Sequence, residues 1–269
     1  MGTTWLFNVL QRMIGASGLP LAVVADGVPK PAKSWRGAVL LKSHRADSPP
    51  LIREFDSRVN LRGFVMMRDP EATLASLVRT QQANQGELIG WLEADVDSYA
   101  QVLPHMRSAV VIREEWIADE ASRIVSAVDQ FLELRLPVSV QQGIAEELSR
   151  ERVRKRVTDL DSNRQWNGDF QNFDRLTQWH AGHIGPDGPR TVELNVEEQA
   201  RIGDLRAQIT ELTEQFGIWA HIPPCAPISS SATALEFVRA RERESLDSVP
   251  LRKRLMHYVA NTVNGSARE

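Results

Sequence analysis

A single cysteine, Cys225, stands in 269 residues, so no intrachain disulfide framework can form and a reducing compartment, the cytoplasm, is the expected location. Basic residues are not in excess. The 32 Lys and Arg face 35 Asp and Glu, a formal charge of −3, which argues against a general nucleic-acid binder. An anionic ligand would therefore need a local basic pocket rather than a global field. No apolar run approaches the ~20 residues of a membrane span, and no basic-then-apolar leader opens the sequence. Internal repeats and low-complexity tracts are lacking, and so is the triphosphate-binding pattern G-x-x-x-x-G-K-[ST]. His180 and His183 have no evident third ligand nearby, so no metal site is expected. What remains is 42% hydrophobic and 25% charged, the balance of a soluble globular chain long enough to bury a large core.

Apolar periodicity divides the chain into alternating elements. Trp5, Leu6, Val9, Leu10 and Met13 recur at helical spacing and predict a helix over 3–15. Continuous apolar runs at 37–42 (G-A-V-L-L-K) and 63–67 (G-F-V-M-M) predict buried parallel strands, 108–112 (S-A-V-V-I) predicts a third strand, and the short apolar segment at 20–26 a further one. Helices are expected from Pro70 to about residue 82, at 86–106, 119–134, 141–157 and 195–216. Strands alternating with helices imply an α/β fold around a parallel sheet. Residues 1–222 read as one domain. Pro223, Pro224, Pro227 and the serines at 229–231 mark a linker, and a helical tail follows to the end, broken near Pro250.

Three short stretches carry chemistry. The first, G-T-T-W-L at 2–6, combines a glycine that lets backbone approach an anion, a helix N-terminus with free N–H groups, and two threonine hydroxyls. It reads either as half of a phosphate-binding turn or as a capped helix start. The second, L-L-K-S-H-R at 40–45, ends a strand, where open α/β sheets place their ligands. Lys42 and His44 project to the same side of an extended chain, the one able to offer positive charge and the other to take a proton. The third, M-M-R-D-P-E-A-T-L-A-S at 66–76, again follows a strand and sets Ser76 about two helical turns after Arg68. An arginine and a serine converging on one phosphate is one reading; a simple Arg68–Asp69 turn is the other.

Taken in order, G-T-T-W-L, K-[ST]-H and R-[DN]-P-x-[DE]-x-x-x-S resemble the sulfotransferases that use 3′-phosphoadenosine 5′-phosphosulfate. The resemblance covers roughly residues 1–218. It implies a three-layer α/β/α fold with a central parallel sheet, of the P-loop nucleoside triphosphate hydrolase-like type. It also implies roles. Gly2, Thr3 and Thr4 would hold the 5′-phosphosulfate and Trp5 would pack on the adenine. His44 would be the catalytic base, with Lys42 beside it, and Arg68 and Ser76 would bind the 3′-phosphate. Two later stretches match less tightly. R-E-E-W-I-A-D at 113–119 puts Arg113 where the family has a base-contacting tyrosine, and a guanidinium can stack on a base. H-A-G-H-I-G at 180–185 resembles the loop that closes over the 3′-phosphate, with His180 and Ala181 replacing two basic residues and Gly182 retained.

The resemblance thus implies transfer of a sulfuryl group from that donor to a hydroxyl or amine of a small-molecule or carbohydrate acceptor, with no metal required; charge and apolar runs already predict no nucleic-acid partner and no membrane span. A non-catalytic nucleotide- or partner-binding descendant and another phosphate-loop enzyme, a kinase or nucleoside triphosphatase, are the alternatives. The basic run R-E-R-V-R-K-R at 150–156 reads as a solvated helix face, or as a further anion grip. Trp166 and Trp179 read as core residues or as lining of an acceptor site. In the family's first motif a lysine and a serine precede the glycine, and Met1 stands at the serine's place. A strand and lead-in of roughly ten to twenty residues are accordingly expected upstream.

Overall fold

The structure is a computed structural model, and it describes residues 2–25, 37–42, 61–81, 83–106, 108–162, 177 and 192–221. The linker and tail expected after Pro223 lie outside the described residues. The chain opens on helix α1 (Gly2–Ala16), followed by strands β1 (Leu21–Ala25), β2 (Ala38–Lys42) and β3 (Gly63–Met67). Helices α2 (Pro70–Thr80) and α3 (Gln85–Val102) precede strand β4 (Ala109–Arg113). Helices α4 (Trp116–Leu132), α5 (Val138–Glu147), α6 (Arg150–Ser162), α7 (Val196–Phe216) and the short α8 (Ile218–His221) complete the described residues.

The caps explain several boundaries. Asp69 accepts from the Ala72 N–H with Pro70 in the first turn, so α2 begins where its free N–H groups find an acceptor. Asn84 and Asn195 each form a reciprocal capping box, with Glu87 and Glu198 respectively. The single helix expected over 141–157 is in fact two. Leu148 leaves helical geometry (φ −98°, ψ 15°), its carbonyl accepts the Trp5 indole N–H at 2.9 Å, and Ser149 starts α6. The apolar spacing across that break is continuous enough to hide it.

The fold is mixed α/β with parallel strands, as expected, but the described strands form two pairs rather than one sheet. β1 pairs with β2 from Leu21↔Ala38 to Ala25↔Lys42, and β3 with β4 from Gly63↔Ala109 to Met67↔Arg113. The two pairs are joined by packing, because α1 lies against β1, β2 and β3 at once. Strand residues alternate between two cores. Phe64, Met66, Val110 and Ile112 join Trp5, Val9 and Met13 of α1 and the apolar faces of α4 and α5. Val65, Met67, Ala109 and Val111 face Leu74 of α2, Leu88 and Ile89 of α3, and Ile202, Leu205 and Ile209 of α7. Helices thus cover both faces of the β3–β4 pair, which is why its residues are apolar in succession rather than alternately polar.

Candidate functional site

Two of the three sequence motifs meet. Gly2 is the first residue of α1, Thr3 is exposed, and Thr4 is buried, while β2 ends on Lys42. The Lys42 ammonium donates to Thr4 Oγ1 at 3.1 Å and lies 5.7 Å from the centre of the Phe7 ring. Lys42 is only 5% exposed, a setting in which lysines are normally paired. A carboxyl-end strand residue and the first turn of a helix are therefore in contact across 38 positions of sequence. Helix N–H groups, hydroxyls and an ammonium group are of the chemical kind that can hold an anion.

Trp5 takes a different part from the one expected. It is 1% exposed and its indole N–H is held by Leu148 O, so the ring packs in the core between α1 and α5 instead of presenting a face to adenine. Its place in an apolar helical stripe accounts for this, since the same spacing that identifies the helix points Trp5 inward.

The third motif sits at the carboxyl ends of β3 and β4, whose last residues, Met67 and Arg113, are register partners. Arg68 follows β3 directly, and its Nε lies 3.9 Å from Glu114 Oε1. Arg113 Nε donates to Glu115 Oε2 at 3.1 Å, and the other Glu115 oxygen accepts from the Asp69 N–H at 2.6 Å. Both arginines named from the sequence therefore stand side by side at one sheet end, each with a carboxylate neighbour. Ser76 is half-buried on α2, two turns beyond Arg68. Asp69 caps that helix and also holds Arg206 of α7 at 2.8 Å. Burial pushes the Asp69 carboxyl up, but Arg206 and the α2 N–H groups outweigh it and hold the group below its ordinary value.

His44, His180 and Gly182 lie outside the described residues, as do His183, Trp166 and Trp179. The basic run at 150–156 forms the first turns of α6. Val153 and Val157 are buried, and Arg152 and Arg156 engage Glu146 and Glu147 of α5, so these two arginines are paired within the fold. Among the described residues no group of three His, Cys, Asp or Glu could hold a metal ion, and no helix is long and apolar enough to cross a membrane.

Sequence reasoning passed over the polar contacts that Asn8 and Arg12 of α1 make with other parts of the chain. Asn8, fully buried, donates to Thr4 O at 2.8 Å and to Thr177 O at 2.7 Å. Its spacing of four from Thr4 was the available signal. Arg12 and Arg156 both bind Glu147 Oε1, at 2.9 and 2.6 Å, and nothing local in the sequence marks that trio. Comparison with protein-family models, with curated proteins and with solved structures finds no match in any of the three.

Proposed function

We propose that the protein is a sulfotransferase, moving a sulfuryl group from 3′-phosphoadenosine 5′-phosphosulfate to a hydroxyl or amine of an acceptor. The observation that carries this reading is the buried contact between Lys42 at the end of β2 and Thr4 in the first turn of α1, which unites the G-T-T-W and K-S-H motifs. Neither motif alone distinguishes a phosphate turn from a capped helix. A lysine held on that turn favours the anion reading, because it adds a positive charge to helix N–H groups and hydroxyls that already suit an anion.

In this reading the α1 N–H groups, the Thr3 and Thr4 hydroxyls and the Lys42 ammonium hold the 5′-phosphosulfate. Arg68 and Ser76 would hold the 3′-phosphate, and Arg113 would lie against the base. His44, two residues beyond Lys42, takes the proton from the acceptor O–H or N–H. The acceptor's lone pair then bonds sulfur as the bond from sulfur to the bridging phosphate oxygen breaks. Lys42 stabilises charge on the departing oxygen, the chief electrostatic need of such a transfer, and adenosine 3′,5′-bisphosphate is left. Thr3 follows Gly2 where the triphosphatase loop G-x-x-x-x-G-K-[ST] has lysine, which disfavours a kinase or nucleoside triphosphatase.

Thermal denaturation separates these readings. Adenosine 3′,5′-bisphosphate at 100 times its Kd should raise stability by about 2.7 kcal/mol without Mg²⁺. ATP, with or without Mg²⁺, should do much less. A Mg²⁺-dependent ATP shift larger than the bisphosphate shift would move the assignment to the kinase and triphosphatase class.

A further inference from the structure

Asn8 sits in the middle of α1, where asparagine is a poor helix former. Its side chain is fully buried, and its amide nitrogen donates both hydrogens: one to Thr4 O at 2.8 Å, the other to Thr177 O at 2.7 Å. Among the described residues, Asn8 Oδ1 has no hydrogen-bond partner. Turning the amide over would set that oxygen against two carbonyl oxygens, so the orientation is fixed by the acceptors. Thr4 is thereby gripped from two directions, with Lys42 on its hydroxyl and Asn8 on its carbonyl. The second Asn8 bond reaches 169 positions along the chain, to a threonine that is itself buried and stands three residues before His180.

We infer that Asn8 is a positioning residue: it ties the chain at Thr177 to the anion-binding turn of α1 and so sets the affinity for a bisphosphate nucleotide, though not for a small anion. The inference rests on the sulfotransferase reading for its ligand and on the two hydrogen bonds for its geometry. A small anion needs only the α1 N-terminus and Lys42. A nucleotide is longer than a small anion, and its affinity would depend on the Asn8 hold on Thr177 as well.

The test variant is Asn8→Ser. A helical serine donates to the carbonyl four residues back, so the bond to Thr4 O is kept while the reach to Thr177 is lost. Asn8→Ala, which loses both, is the companion. Calorimetry is run with adenosine 3′,5′-bisphosphate and with inorganic pyrophosphate. Hydrogen exchange is followed in the peptide containing Thr177 and, as a reference, in α4. Asn8→Ser should weaken the bisphosphate about ten-fold, the scale of one lost buried hydrogen bond, and change pyrophosphate less than about two-fold. Exchange in the Thr177 peptide should quicken at least about five-fold while α4 is unchanged. Equal loss of both anions, or exchange rising everywhere, would reduce Asn8 to a structural residue and overturn the inference. Unchanged exchange at Thr177, or faster exchange there with unchanged bisphosphate affinity, would overturn it as well. If the unsubstituted protein binds pyrophosphate but no bisphosphate, the sulfotransferase reading falls and the nucleotide part of the inference falls with it, while exchange still decides whether Asn8 holds Thr177.

Discussion

At the scale of single residues, charge burial separates groups that hold the fold from groups available to a ligand. Glu147 belongs to the first kind. Its carboxylate joins Arg12 of α1 to Arg156 of α6 from the end of α5. Burial pushes this carboxyl up, but the hydrogen bonds and charges of the two arginines outweigh it and leave it below its ordinary value. A depressed folded value means the unfolded chain binds the proton first. The stabilisation is complete above the unfolded value near ~4.3 and is lost as pH falls through the folded one. Glu147→Gln should cost about 2–3 kcal/mol in urea denaturation at pH 7, mostly through Arg12, because Arg156 is 41% exposed and its pair is screened. At pH 3 the two proteins should differ much less; an equal difference at both pH values would refute this role. Arg68 is of the second kind, since its only described carboxylate contact is a long 3.9 Å approach to Glu114. Arg68→Ala should leave the melting temperature nearly unchanged and weaken adenosine 3′,5′-bisphosphate by about 1–3 kcal/mol, a lost charged hydrogen bond. Unchanged affinity in calorimetry would remove Arg68 from the site.

At the scale of elements, much was legible because helix spacing and apolar runs are local signals. The runs at 37–42 and 63–67 became β2 and β3 with bounds shifted by one residue or none, and Pro70 and Asn195 marked helix starts through their own stereochemistry. The break at Leu148–Ser149 was hidden by continuous apolar spacing, and there the Leu148 carbonyl accepts the indole N–H of Trp5, 143 residues away. The same contact moved Trp5 from expected ligand residue to core residue. The α7 capping box is purely local, so its worth is predictable. Asn195→Ala should lower stability by about 1 kcal/mol through loss of the side-chain acceptor on the Glu198 N–H. Asn195→Ser should recover most of it, and equal stability of all three proteins would show that the box contributes nothing.

At the scale of the whole molecule, the parallel order and two-sided coverage of β3–β4 follow from apolar strands that expose no polar side, whereas β2 leaves Leu41 exposed. The division into two pairs could not be read from the chain, since each run announces a strand but not its neighbour. The convergence of motifs was readable only in part. Their order suggested one ligand, while the contact itself needed α1 to lie across β2, which no local pattern specifies. The central claim is that this contact is an anion site for a bisphosphate nucleotide. Its most direct test is calorimetric titration of adenosine 3′,5′-bisphosphate into the protein and into its Lys42→Met variant, both verified as folded. Saturable one-to-one binding without Mg²⁺ is predicted, weakened by about 1.5–3 kcal/mol in the variant, the loss of a charge-assisted contact. Absence of binding to the unsubstituted protein, or equal affinity in both proteins, would contradict the account.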